Sequence, residues 1–234
     1  MILLGVPFIL SLCFLYSYIY EYGNVILNTY IDEYILYYKL AEYVDLDEYK
    51  RKYIIKNIFK STILALILIP STLVLYDGFI NNVWSNLVIK FIGCIYVSLD
   101  LSGLVYVQGL PITTVIHHLV VCVFGILNLY VDYEDEGYYR SLLIYTYFSI
   151  IPFIVNFYLG YRYLSYDQLY KKGVAYIAML IYGVSLVINI ICQLVFFYNS
   201  NFSYSIILYL GLFSLIFNDD IKLIKFLNNE TKKI

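Results

Sequence analysis

The feature that most limits what this chain can fold into is its succession of long apolar runs, at 2–20, 58–76, 87–107, 112–131, 141–160, 173–198 and 204–222. Each is close to the ~20 residues that a helix needs to cross the hydrocarbon of a bilayer. Inside a bilayer every backbone N–H and C=O has to be satisfied within the segment, so such runs are helical. Charged residues make up only 14% of the chain and the mean hydropathy is +0.76, whereas a soluble domain carries about 25% charged residues. The expected fold class is therefore all-α: a polytopic membrane helix bundle with about seven transmembrane helices.

The connections organise the rest. Residues 21–57 are the long polar stretch, in which Ile31, Ile35 and Tyr38 recur at helical spacing, so an amphipathic connector lying on the membrane surface is expected. This divides the chain into a first helix plus connector (1–57), a main transmembrane domain (58–226) and a short tail (227–234). Thirteen of the fifteen basic residues fall on one face of a seven-span arrangement, leaving Lys90 and Arg140 on the other. The positive-inside rule then puts the N-terminus in the lumen and the C-terminus in the cytosol. The first run lacks a basic leader and a small-residue cleavage site, so it reads as a retained helix. Cys13, Cys94, Cys122 and Cys192 lie in apolar runs without metal-type spacing, which predicts reduced, buried thiols and no metal site. No basic, aromatic-interleaved patch points to nucleic acid as a partner, so none is expected.

Within the hydrocarbon zone three ionisable residues stand out: Asp100 in the third run, and His117 and His118, the only histidines, in the fourth. Each costs about 2.5–3.5 kcal/mol to insert, so such groups face a bundle interior. Asp100 lies seven residues before Val107, and the histidines lie five and six residues after Ile112. At about 1.5 Å per residue both positions are roughly 8–10 Å deep from one face. The short break Gln108-Gly109-Leu110-Pro111 makes the two helices antiparallel neighbours, so the carboxylate and an imidazole can meet. A carboxylate on one ring nitrogen fixes the tautomer and leaves the other nitrogen free to accept a proton. Adjacent side chains diverge by about 100° on a helix, so the two histidines cannot serve Asp100 equally. A packing hydrogen bond between helices is the plainer alternative. Metal binding is weaker still, because adjacent imidazoles do not converge on one ion. Ser149, Pro152 and Asn156 mark a kink in the fifth run, with Asn156 at a depth near that of His117. Asn189 and Gln193 share a face and suit helix–helix contact, and Asp219 and Asp220 read as a charged helix end.

Several of these elements resemble the TLC domain (TRAM, LAG1 and CLN8 homology). They are Gly93-Cys-Ile-Tyr-Val-Ser-Leu-Asp100, the pair His117-His118, Ser149-Ile-Ile-Pro-Phe-Ile-Val-Asn156, Asn218-Asp-Asp-Ile-Lys222 and, upstream, Lys56-Asn-Ile-Phe-Lys-Ser-Thr-Ile-Leu-Ala65. The resemblance covers about three-quarters of the chain. It implies a protein of the endoplasmic reticulum or a derived membrane that binds, senses or adjusts membrane lipids, with Asp100, His117, His118 and Asn156 at the head group. No cofactor is implied. The enzymatic members are ceramide synthases, in which a histidine of the pair, supported by Asp100, would serve acyl transfer from acyl-CoA to a sphingoid base. Two departures move the likeness away from them. Leu64 stands where many relatives carry a histidine, and Leu142-Leu-Ile-Tyr-Thr-Tyr-Phe148 lacks their acidic cluster.

Overall fold

In a computed structural model, which describes residues 2–38, 46–135, 137, 139–164, 167–200 and 204–232, the apolar runs are helices and no strand is present among the described residues. The helices are α1 (Ile2–Tyr38), α2 (Glu48–Ile80), α3 (Asn86–Tyr106), α4 (Ile112–Tyr130), α5 (Arg140–Ile150), α6 (Phe153–Tyr161), α7 (Gln168–Tyr198) and α8 (Tyr204–Lys232). Five stretches are long and apolar enough to cross a membrane: α2, α3, α4, α5 and α6 taken together as Arg140–Tyr161, and α7. The chain is a multi-pass, all-α membrane bundle.

Helix boundaries follow local chemistry. Asp47 caps α2 by accepting the backbone N–H of Lys50 at 2.8 Å, and Asp167 caps α7 by accepting those of Leu169 and Tyr170. Each satisfies donors that the first helical turn leaves free. Pro152 has no N–H to give and breaks the fifth run into α5 and α6. The polar connector differs from the sequence reading. α1 continues past Glu21 to Tyr38, and α2 begins as early as Glu48. Lys52 pairs with Glu21 at 3.3 Å and Glu48 at 2.9 Å, so charged side chains of the connector join two helices that extend beyond the apolar zone. The side chains of Ile31, Ile35 and Tyr38 lie outside the described set, as does the sequon at 201–203.

Exposed apolar residues show where lipid would lie. On α2, Leu66, Ile69, Leu73, Tyr76 and Ile80 are all more than half exposed and recur every three or four residues. Together they form one outward stripe, which in a bilayer costs nothing because the surroundings are as apolar as the side chains.

Helix packing closes a ring in the order α2, α3, α4, α8, α7 and α6, back to α2, with α1 outside against α2 and α3. α3 and α4 come together through glycines. A Cβ on Gly93 would lie 2.5 Å from the Asn128 side chain, and one on Gly125 would lie 2.5 Å from Val97. Along the antiparallel pair Gly93 lies against Asn128 and Val97 against Gly125, and His118, further along α4, reaches Asp100. α5 plugs the ring at one end. Ser141, Leu142, Leu143, Ile144 and Tyr145 are consecutive and all buried, which no helix achieves with only one face covered. α5 touches α2, α3 and α7, whereas α6 forms part of the wall between α2 and α7. Above the plug the ring encloses a cavity.

Candidate functional site

The cavity has a volume of about 420 Å³, within the range of small-molecule sites. It runs from Tyr96 and Asn189 in the interior to Pro111 and Arg162 at helix ends. Every ring helix contributes to its wall.

Asp100 is fully buried on α3 and is the centre of a three-residue cluster. Lys60 of α2 donates its ammonium to Asp100 Oδ1. His118 of α4 sets Nδ1 2.9 Å from the same oxygen, though its N–H is not aligned for a hydrogen bond. Asp100 Oδ2 and His118 Nε2 are buried without a hydrogen-bond partner among the described residues. Lys60 also lies over the Tyr96 ring, 5.9 Å from its centroid. A buried carboxylate faces a large desolvation cost, which is offset here by one ammonium and one imidazole.

His117 turns the other way. Its Nδ1 is 3.5 Å from Asp219 Oδ2 and 3.8 Å from Asp220 Oδ1 on α8. Asp220, 7% exposed, accepts a hydrogen bond from the Tyr182 hydroxyl at 2.6 Å. The two imidazole rings meet edge to face with centroids 5.5 Å apart. Adjacent positions on one helix therefore address two different carboxylate centres, as divergence at i and i+1 requires. Asn156 lines the same cavity from α6.

Of the residues singled out from the sequence, His117, His118 and Asn156 line one chamber, and Asp100 lies behind its wall against Lys60 and His118. Further contributors come from outside that set. Lys56 and Lys60 sit near the start of a transmembrane run, where a lysine ordinarily reports only orientation. Their spacing of four puts both on one face, and that was the available signal. Asp219 and Asp220 read as an interfacial helix end, yet both line the cavity and Asp220 is buried. Asn189 and Gln193 are helix-joining groups: Gln193 donates to Ser141 O at 2.9 Å and to Asn189 Oδ1 at 3.2 Å. Asn189 additionally reaches the cavity. All four cysteines are free thiols.

The fold and chamber define a class: a polytopic helical membrane protein with an ionisable, partly apolar cavity inside its ring. Comparison with known proteins finds no family model, no curated protein and no solved structure that matches the chain.

Proposed function

We propose that the chain is a lipid-handling membrane protein that holds a lipid head group in the chamber. The observation that carries this reading is the make-up of one cavity in a membrane bundle. Lys60, His117, His118, Asp219 and Asp220 line it together with apolar residues such as Leu186, Leu223 and Phe226, and Asp100 lies behind that wall against Lys60 and His118. Buried ionisable groups are costly unless they serve one another or a ligand, and the apolar wall suits an acyl chain. The resemblance to the TLC domain points the same way, with residence in the endoplasmic reticulum and seven spans as its corollaries. In that topology Lys56, Arg162 and Lys222 lie on the cytosolic side. Protease protection of tags at the two ends tests it: opposite sides are expected, and tags on the same side exclude an odd number of spans.

The direct test is native mass spectrometry of the purified chain with co-purifying lipids. Lipid is expected on the wild type, with reduced occupancy on His118→Ala at unchanged yield. Wild-type protein that carries no lipid, and takes up none when it is supplied, sinks the reading.

One observation favours a second reading, acyl transfer. His118 lines the cavity with Nδ1 toward Asp100 and Nε2 free of partners, the arrangement of a carboxylate-oriented general base. Nε2 would take the proton from an amine as its nitrogen attacks an acyl-CoA thioester, then return it to the departing thiolate, giving an amide and free thiol. Amide product from purified protein with acyl-CoA and a sphingoid base, absent in His118→Ala, would establish this reading over simple binding.

A further inference from the structure

The cavity holds a cation with no counter-charge. Lys56 is 4% exposed and lines the chamber from α2. The nearby buried carboxylate, Asp100, is engaged by Lys60 and His118, and no carboxylate pairs with Lys56 among the described residues. Its path is built in. Gly103 on α3 leaves room for the Lys56 chain, since a Cβ there would come 2.9 Å from Lys56 Cε. Arg162, at the end of α6, lines the same cavity. Its guanidinium stacks over Phe226 and Tyr163, with centroid distances of 4.8 and 4.7 Å, and its Nε is buried without a hydrogen-bond partner. Asp219 and Asp220 face His117 and Tyr182 instead.

We propose that Lys56 and Arg162 form an anion subsite of the chamber that takes a phosphate, carried by a lipid head group. This rests on the lipid-handling reading and specifies its ligand class. An ammonium held in a membrane cavity without a carboxylate of its own is costly, and a ligand anion offsets that cost. The two cations enter from different helices, and a tetrahedral phosphate presents oxygens in divergent directions, whereas a carboxylate offers two in one plane. Lysine meets phosphate as a compact point charge and arginine as a planar fork. The acyl chain would then lie along Leu186, Leu223 and Phe226.

The test uses the full-length chain in detergent and four probes: lysophosphatidate, monoacylglycerol of the same chain length, the corresponding free fatty acid, and inorganic phosphate. Lysophosphatidate is expected to bind about tenfold or more tighter than monoacylglycerol, the value of a charge-assisted hydrogen bond. Lys56→Met, which removes the charge and keeps the volume, should bring the affinities of the two lipids close together. Lys56→Arg should keep the preference. Arg162→Gln at the helix end should reduce it, and stands in if Lys56→Met does not fold. Equal binding of lysophosphatidate and monoacylglycerol to the wild type overturns the subsite and leaves the lipid reading standing. Fatty acid binding as tightly as lysophosphatidate overturns phosphate as the anion. Lys56-dependent binding of inorganic phosphate with no lipid bound keeps the subsite, identifies a free phosphate as its source and removes the lipid reading. Absence of binding by all four probes removes both.

Discussion

At the plugged end of the ring, Gln193 uses its whole amide. Nε2 donates to Ser141 O and Asn189 Oδ1, and Oε1 accepts from the Tyr209 hydroxyl at 3.2 Å. Nearby on α4, Asn128 accepts from the Tyr133 hydroxyl at 2.6 Å and donates to Lys90 O at 3.3 Å. At the cavity end, ionisable groups stand beside neutral ones such as Asn156, and Asp100 Oδ2 and His118 Nε2 have no hydrogen-bond partner among the described residues. Both regions join three or more elements of the chain. Neutral amides whose hydrogen bonds are made hold helices together and present nothing to a ligand. Charged groups with spare capacity, facing a space, hold helices together and keep something in reserve.

The sharpest way to break the contrast is Asp100→Ala. It strands the buried Lys60 ammonium and should cost about 3–5 kcal/mol, measured as loss of thermal stability in detergent. Asp100→Leu combined with Lys60→Met should recover most of that loss, because neither charge remains to be stranded. A small effect of Asp100→Ala would mean that the ion pair is not insulated from water. Next in size, Tyr133→Phe leaves the carbonyl oxygen of buried Asn128 without its donor and should cost about 1–3 kcal/mol. Lipid bound per folded molecule should be unchanged, and a parallel loss of binding would erase the distinction between the two regions.

The histidines sharpen it further. His118→Ala should lower head-group binding by about tenfold, the scale of one hydrogen bond to a charged group, and His117→Ala by less. The reverse order in a binding titration would move the centre of the site from Asp100 to Asp219 and Asp220. The smallest effect belongs outside the membrane. The Asn86 amide donates to Asp132 at 2.6 Å, and this bond holds the Asp132 carboxyl below its usual range. A depressed carboxyl contributes stability above its unfolded value and loses it as pH falls through the folded one. The loop should therefore stay clamped near neutrality and loosen only in acid below the usual aspartate range. The fluorescence of Trp84, the only tryptophan, can follow this, since Arg140 beside the loop stacks on it at 4.2 Å. A transition near neutral pH would count against the Asp132 clamp.

Depth was legible in the sequence and partners were not. Asp100 and His118 could be matched because they lie on consecutive helices joined by a short break, where residue counting gives height directly. Lys60 could not, because nothing in a single chain says that the start of α2 leans on the middle of α3 forty residues away. Asp219 and Asp220 were hidden for a similar reason: α8 is the neighbour of α4 in the ring although it lies far along the chain, and a polar end on an apolar helix looks interfacial until its neighbour is known. Pro152 announced a break, but its result, one half enclosed and the other in the wall, depends on packing by α2, α3 and α7. The first helix was read too short because Glu21 looked like an exit from the membrane. Leaving hydrocarbon does not oblige a helix to stop, and here α1 continues in register.

The break at Ile151–Pro152 has a mechanical consequence. A helix transmits force along its axis because each turn is tied to the next, and α5 and α6 are separate segments at that point. α5 is anchored by Gln193 through Ser141 O, while α6 carries Val155 and Asn156 on the chamber wall. The floor and the wall of the chamber are thus set by separate helical segments, α5 through its tie to α7 and α6 through its packing on α2 and α7.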